Sequence, residues 1–179
     1  MKLNFDLYKN NADNSLRFLL GTEGMRMLGI CGINPSTADD QQFDMTISKV
    51  LKFTQRWGYH GFVMFNLYPL RATCPKNLPM MRDKSVVQEN ITHIIQIFSR
   101  IQKPTIWAAW GNTIEQRNYF SACLQEIVNA LRIYKPQWMY GGELTIKKHP
   151  KHPSRLPYHS KFEQFDIDNY IKHFEKVSE

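Results

Sequence analysis

The sequence predicts an α/β domain in three layers, α/β/α. It has a mainly parallel four-stranded central sheet, helices on both faces and an antiparallel N-terminal extension. Three observations carry this. Four short apolar runs, at 27–31, 62–67, 105–110 and 138–140, each end at a turn signal, as fully buried strands do. Between them lie stretches whose apolar residues recur at helical spacing. Strand and helix then alternate regularly, which is the pattern of a parallel sheet with crossover helices.

Composition sets the outer bounds. The chain has 179 residues, enough for one domain over 1–179 with a sizeable core. Hydrophobic residues make up 42% and charged residues 22%, a globular composition that excludes a disordered chain. No apolar run is long enough to span a bilayer, and no basic-then-apolar leader opens the chain, so no membrane partner is expected. Cys31, Cys74 and Cys123 are scattered without metal-type spacing. They point to a reduced, cytoplasmic protein with no metal or other cofactor. The net charge of +7 and a pI near 9.3 favour a polyanionic partner such as nucleic acid.

In chain order, Leu3, Phe5 and Leu7 alternate, a turn follows at Asn10, Asn11 and Asn14, and 16–20 is apolar. These read as one or two antiparallel strands, with a second turn at 21–24. The run 27–31 is the first buried strand. Gly32 and Pro35 break it, and Ser36, Thr37 and Asp39 are N-cap residue types. A strand, tight loop and helix start of this kind places free N–H groups at the carboxyl end of a strand, where anions and ligands bind. The same loop could simply cap its helix. Over 39–57, Phe43, Ile47, Val50, Leu51, Thr54 and Trp57 share one helical face, Asp44 is a second candidate cap, and Gly58 ends the helix.

The strand at 62–67 holds one polar residue, Asn66, whose buried amide needs partners: a neighbouring loop or a ligand. Arg71 follows in a proline-containing loop and suits a phosphate or open solvent. Val87, Ile91, Ile94, Ile95, Phe98 and Ile101 define the next helix, with His93 on its solvent side. After the strand at 105–110 and Gly111, Asn112 or Thr113 caps a helix burying Phe120, Cys123, Leu124, Ile127 and Leu131. The strand at 138–140 ends at Gly141-Gly142, with Leu144 and Ile146 as a possible extension. Residues 147–158 form the most basic stretch, with Lys147, Lys148, Lys151 and Arg155, and its three prolines make it a loop. Asp166 or Asp168 caps a final helix bearing Ile171 and Phe174.

In such a sheet the loops after the parallel strands share one edge. They gather Asn34, Asp39, Asp44, Asn66, Arg71, Asn112, His152 and Arg155 as a candidate pocket.

Four short motifs along this order carry a resemblance. Gly32-Ile33-Asn34-Pro35 resembles the first motif of the uracil-DNA glycosylase superfamily, closest to its mismatch-specific branch. Phe65-Asn66-Leu67 resembles that superfamily's strand-end asparagine, Trp110-Gly111 its Trp-Gly, and His152-Pro153-Ser154-Arg155-Leu156 its last motif. The larger set, with Pro-Ser-Thr-Ala-Asp, Asn-Leu, Arg-Ala-Thr and Lys-His-Pro, resembles an uncharacterised bacterial family over nearly the whole chain.

The glycosylase resemblance implies a uracil-DNA glycosylase-like fold and release of a base from nucleic acid, with DNA the expected partner before RNA. It implies that Asn34 positions water, that Asn66 reads the base and that His152 stabilises the departing base. It implies too that Leu156 fills the gap left by a flipped nucleotide. Apart from the resemblance, their places in the strand-end loops make Ser36, Thr37, Arg71 and Asn112 candidate substrate contacts, and the basic stretch makes Lys147, Lys148, Lys151 and Arg155 candidate nucleic-acid contacts. The sequence departs from the pattern at Asn34, where an aspartate is usual, at Ser36-Thr37 in place of Tyr-His, and at Arg155 in place of proline. An amide is no general base, so water activation would fall to Asp39 or Asp44. The competing readings are a nucleic-acid-binding module without chemistry and an enzyme acting on a free nucleotide or nucleoside.

Overall fold

Leu28, Ile30 and Cys31 are fully buried, because the strand that carries them has a strand on either side. A computed structural model describes residues 5–36 and 45–175, and within them the chain is α/β. The elements are β1 (Leu7–Asn10), β2 (Arg17–Thr22), β3 (Met27–Gly32), α1 (Met45–Arg56), β4 (Gly61–Asn66) and α2 (Lys84–Phe98). They continue with β5 (Thr105–Ala108), α3 (Tyr119–Leu131), β6 (Gln137–Gly141), β7 (Phe162–Gln164) and α4 (Ile167–Glu175).

The described strands form one seven-stranded mixed sheet in the order β1-β2-β4-β3-β5-β6-β7. β3 pairs in parallel with β4 and β5, and β5 with β6. β1 and β2 on one side and β7 on the other run antiparallel. Gly32 pairs with Asn66 and Cys31 with Ala108, so β3, β4 and β5 finish nearly level at their carboxyl ends.

Helices cover both faces. On one, α2, α3 and α4 pack on Val63, Phe65, Ile106 and Ala108; on the other, α1 packs on Leu28, Ile30, Phe62, Met64 and Trp107. β3, β4 and β5 are therefore buried on both sides, and their residues form nearly continuous apolar runs, whereas β6 is only partly buried. Asp83 caps α2 by accepting from the backbone N–H groups of Ser85 and Val86, and Asp166 accepts from Asn169 at the start of α4.

Several local expectations change. β7 is a short strand whose burial pattern is too exposed to announce it. Leu144 and Ile146 do not extend β6: Gly142 turns the chain with φ +67°, and Ile146 is fully exposed. Neither Asn112 nor Thr113 caps α3, because a 3-10 helix over Gly111–Gln116 intervenes. β2 runs through Gly21 to Thr22 where a turn was expected.

His93 is half-buried rather than fully on the solvent side. It stacks on Phe18 at 4.4 Å between ring centroids, and burial holds its pKa below the ordinary value. Its partner is there because of a register slip. Lys9 pairs with Leu19 but Asn10 pairs with Arg17, leaving Phe18 as the extra residue of a β-bulge. No helix among the described residues is long and apolar enough to cross a membrane.

Candidate functional site

The chain leaves β3 for α1 on one face and leaves β5 for α3 on the other. Neighbouring strands whose connections part in this way open a crevice at their carboxyl ends. A cavity of about 250 Å³ lies there. Asn34 and Ser36 line it from the loop after β3, Asn66 from the end of β4, Trp110 and Thr113 from beyond β5, and His152 from the basic loop.

Backbone hydrogen bonds fix these loops to one another. The N–H groups of Leu67, Tyr68 and Ala72 donate to the carbonyls of Gly32, Ile33 and Pro35 at 2.9–3.0 Å. Asn34 adds two bonds from Nδ2, to the carbonyls of Pro35 (3.1 Å) and Ala72 (2.9 Å). Its amide hydrogens are thus committed to loop structure. The Gly111 N–H donates to the Pro150 carbonyl at 2.8 Å, which docks the basic loop on the end of β5. Gly111 has φ +62°, and a Cβ there would lie 3.6 Å from the His152 Cβ. The positive φ favours glycine here, and His152 packs against it at ordinary contact distance.

Asn66 is only 5% exposed and faces this cavity, yet among the described residues its side-chain amide has no hydrogen-bond partner. Its backbone carbonyl, by contrast, accepts from Asn90 at 2.8 Å. Its amide atoms are open to the cavity rather than sealed from solvent. An amide that the described protein does not use and that opens on the cavity is available to whatever enters it.

His152 accepts at Nδ1 from the Ser154 backbone N–H (3.3 Å), with the Ser154 hydroxyl 2.8 Å away. In the neutral ring the proton then sits on Nε2, which makes His152 a hydrogen-bond donor at that atom.

Arg17 was not among the expected site residues. It is 3% exposed and lines the cavity beside Ile30, Met64 and Asn66. The bulge puts it there. Leu20 faces the α1 side, so simple alternation would send Phe18 to that side and Arg17 to the other. With Phe18 as the extra residue, Phe18 and Leu19 both join the α2 side and Arg17 turns to the cavity. The signal in the sequence was a single cation inside the apolar stretch 16–20.

Other expected residues lie elsewhere. Arg71 donates to the Tyr8 hydroxyl, Asn14 Oδ1 and the Ser36 carbonyl, tying the β1–β2 hairpin to the β3 loop. Asn112 is exposed outside the cavity, accepting from the Thr145 hydroxyl at 2.7 Å. Leu156 is buried at 1% exposure in the core under α1, so it is no exposed wedge. Lys147 pairs with Glu115, and with Lys148 it lines a separate groove beside α4. Lys151 is half-buried and Arg155 exposed. The four cations are therefore spread along the loop. Thr37, Asp39 and Asp44 lie outside the described residues.

Behind the cavity wall runs a chain of hydrogen bonds. Trp110 Nε1 donates to the Tyr170 hydroxyl at 3.0 Å, which donates to His149 Nδ1 at 2.7 Å; His149 Nε2–H then donates to Glu115 Oε1 at 2.8 Å. The Glu115 carboxylate can only accept, so His149 Nε2 carries a proton, and in the neutral ring Nδ1 then accepts from the Tyr170 hydroxyl. The bond from His149, then that from Lys147, holds the Glu115 carboxyl below the usual range, and burial pushes the Tyr170 phenol up.

Residues 17–154 match a family described as protein of unknown function (DUF1643). The chain belongs to this family. The match spans the stretch from Arg17 through Asn34 and Asn66 to His152 and Ser154, so all the cavity loops fall inside it. A search of curated proteins found no match to the chain, and a search of solved structures found none either.

Proposed function

We propose that the cavity receives a single nucleobase unstacked from nucleic acid, DNA before RNA, and that the protein releases it by hydrolysing the N-glycosidic bond. The observation that carries this reading is the Asn66 amide, which lines the cavity at the end of β4 with no side-chain hydrogen bond to the described residues. An amide both donates and accepts, which suits the hydrogen-bonding edge of a base. The cavity volume, about 250 Å³, lies below the ~300–1,000 Å³ of pockets for drug-sized ligands, and so fits one small ring. The resemblance of four motifs to the glycosylase superfamily supports the same reading, including a glycosylase-like form of the α/β fold.

When the C1′–N bond breaks, its electron pair leaves with the base. The Nε2–H donor of His152 supports that negative charge, and water adds to C1′. The water's proton goes to the departed base, and Asp39 or Asp44, both outside the described residues, is the candidate for activating that water. Lys148, Lys151 and Arg155 supply charge for the nucleic-acid backbone.

The test is a panel of duplexes, each with a different damaged or mismatched base, read by strand cleavage after alkali. Cleavage of at least one duplex is expected, and no release from any would overturn the reading. One observation favours a second reading, a binding module without chemistry: Asn34 replaces the usual carboxylate and spends its amide hydrogens on the loop. Salt-dependent DNA binding with no abasic product would identify that module.

A further inference from the structure

We infer that the nucleic-acid strand beside the cavity runs over the seam between α1 and the basic loop, with one base stacked on Tyr158 and phosphates at Lys52 and Arg155. This rests on the reading that the cavity takes a base from nucleic acid, but not on base release.

The cavity wall leads to this seam. Thr46 and Ile47 of α1 line the cavity, as do His152 and Pro153 of the loop. Beyond the cavity the two elements stay together: Lys49 donates from Nζ to the carbonyls of Ser154 (3.0 Å) and Leu156 (2.8 Å). Leu156 packs into the core under α1, and Tyr158 then returns to the surface at 47% exposure. Its ring stacks on buried Phe53 with 6.0 Å between centroids, and the ammonium groups of Lys49 and Lys52 lie 5.3 and 4.8 Å from its centroid. All three partners belong to α1, so the ring lies along that helix and leaves nearly half of the residue in solvent.

An aromatic ring flanked by cations is the combination that holds single strands. The π-face takes a base whatever its identity, and the cations take the phosphates. Extruding one base leaves its neighbour short of a stacking partner, and a ring at this place supplies one. Ile47 on the cavity wall and Phe53 under the ring lie about 9 Å apart along the axis of α1. That is the span of about two or three phosphates of one strand, at about 3.4 Å each. Lys52 and Arg155 are exposed, and among the described residues neither pairs with a carboxylate. The Lys49 ammonium serves the loop carbonyls, so the other two are the cations open to phosphate.

Anisotropy of fluorescein-labelled single strands bound to the full chain, followed across a salt series, tests this. The probes are oligothymidylate and an abasic strand of equal length, which keeps the phosphates and lacks the bases. Tyr158→Leu keeps an apolar cover on Phe53 but has no π-face. It should weaken oligothymidylate about five-fold or more and leave the abasic strand unchanged, while Tyr158→Phe binds as the parent does. Lys52→Gln and Arg155→Gln should weaken both probes, and each should lower the slope of log affinity against log salt by about 0.7. Lys172→Gln removes an exposed charge from α4, on the opposite face of the sheet, and should leave the slope as it was.

Parental oligothymidylate binding by folded Tyr158→Leu, a parental slope in Lys52→Gln, or an equal fall in Lys172→Gln overturns the inference. If Asn66→Ala still weakens binding in that case, the cavity reading survives. If Tyr158→Leu does not fold, Lys52→Gln, at an exposed position, decides by its slope. No binding of either strand by the parent also overturns the inference, and the nucleic-acid reading falls with it if no duplex releases a base. The expected pattern without release from any duplex upholds the seam and removes the catalytic reading alone.

Discussion

The Asn66 side-chain oxygen lies so close to Gly32 that a Cβ at residue 32 would stand 2.8 Å from it. The two residues are paired across β3 and β4, and only a glycine leaves room for the amide. The obstacle is the tip of one side chain, which can swing aside. We expect Gly32→Ala to fold with a stability loss of about 1 kcal/mol or less, yet to lose cavity binding as fully as Asn66→Ala. Calorimetric titration beside chemical denaturation checks this. Full binding by Gly32→Ala would mean the amide does not need its present position.

His152 touches the cavity but is held by its own loop, through Ser154. If it supports a departing base, His152→Ala should leave folding and nucleic-acid affinity nearly intact and slow base release by about 10²-fold or more, as for loss of one oxyanion-type donor. Single-turnover release assays measure it. An equally active variant would reduce His152 to a loop-shaping residue.

Tyr170 shares its hydroxyl between the buried groups Trp110 Nε1 and His149 Nδ1. Tyr170→Phe keeps the ring packing but leaves both groups without that partner. A destabilisation of about 2 kcal/mol or more is expected in urea denaturation. Because Trp110 lines the cavity, ligand affinity should fall as well. A stability change near zero would show that water replaces the hydroxyl at no cost.

Burial, the largest influence, lowers the His93 pKa in the folded protein; Glu89 opposes that shift and Lys9 assists it. The unfolded chain titrates near the ordinary value of about 6.5. Between the folded and ordinary values the unfolded state binds the proton more readily, so stability is complete above about pH 6.5 and falls as the solution is acidified. His93→Gln should flatten the dependence of Tm on pH between about 7 and 5. An unchanged slope would assign the acid sensitivity to other groups.

The alternation of apolar runs with helical periodicity, visible in the sequence alone, led to an α/β chain with buried parallel strands, because a strand buried on both faces has no polar positions to spare. The same reading brought Asn34, Asn66 and His152 to one cavity, since the carboxyl ends of parallel strands share an edge and polar residues there are conspicuous against apolar runs. It failed where neighbours in space decide. Leu156 sits in a basic, proline-rich loop, yet the aromatic core under α1 buries it. His93 lies off its helix's apolar stripe, yet Phe18 covers it. Arg17 is the sharpest case: which face a strand residue takes depends on counting by twos from a known point, and one extra residue in the pairing reverses the count. That slip is a property of β1 lying against β2, so only the tertiary structure could place the cation in the cavity.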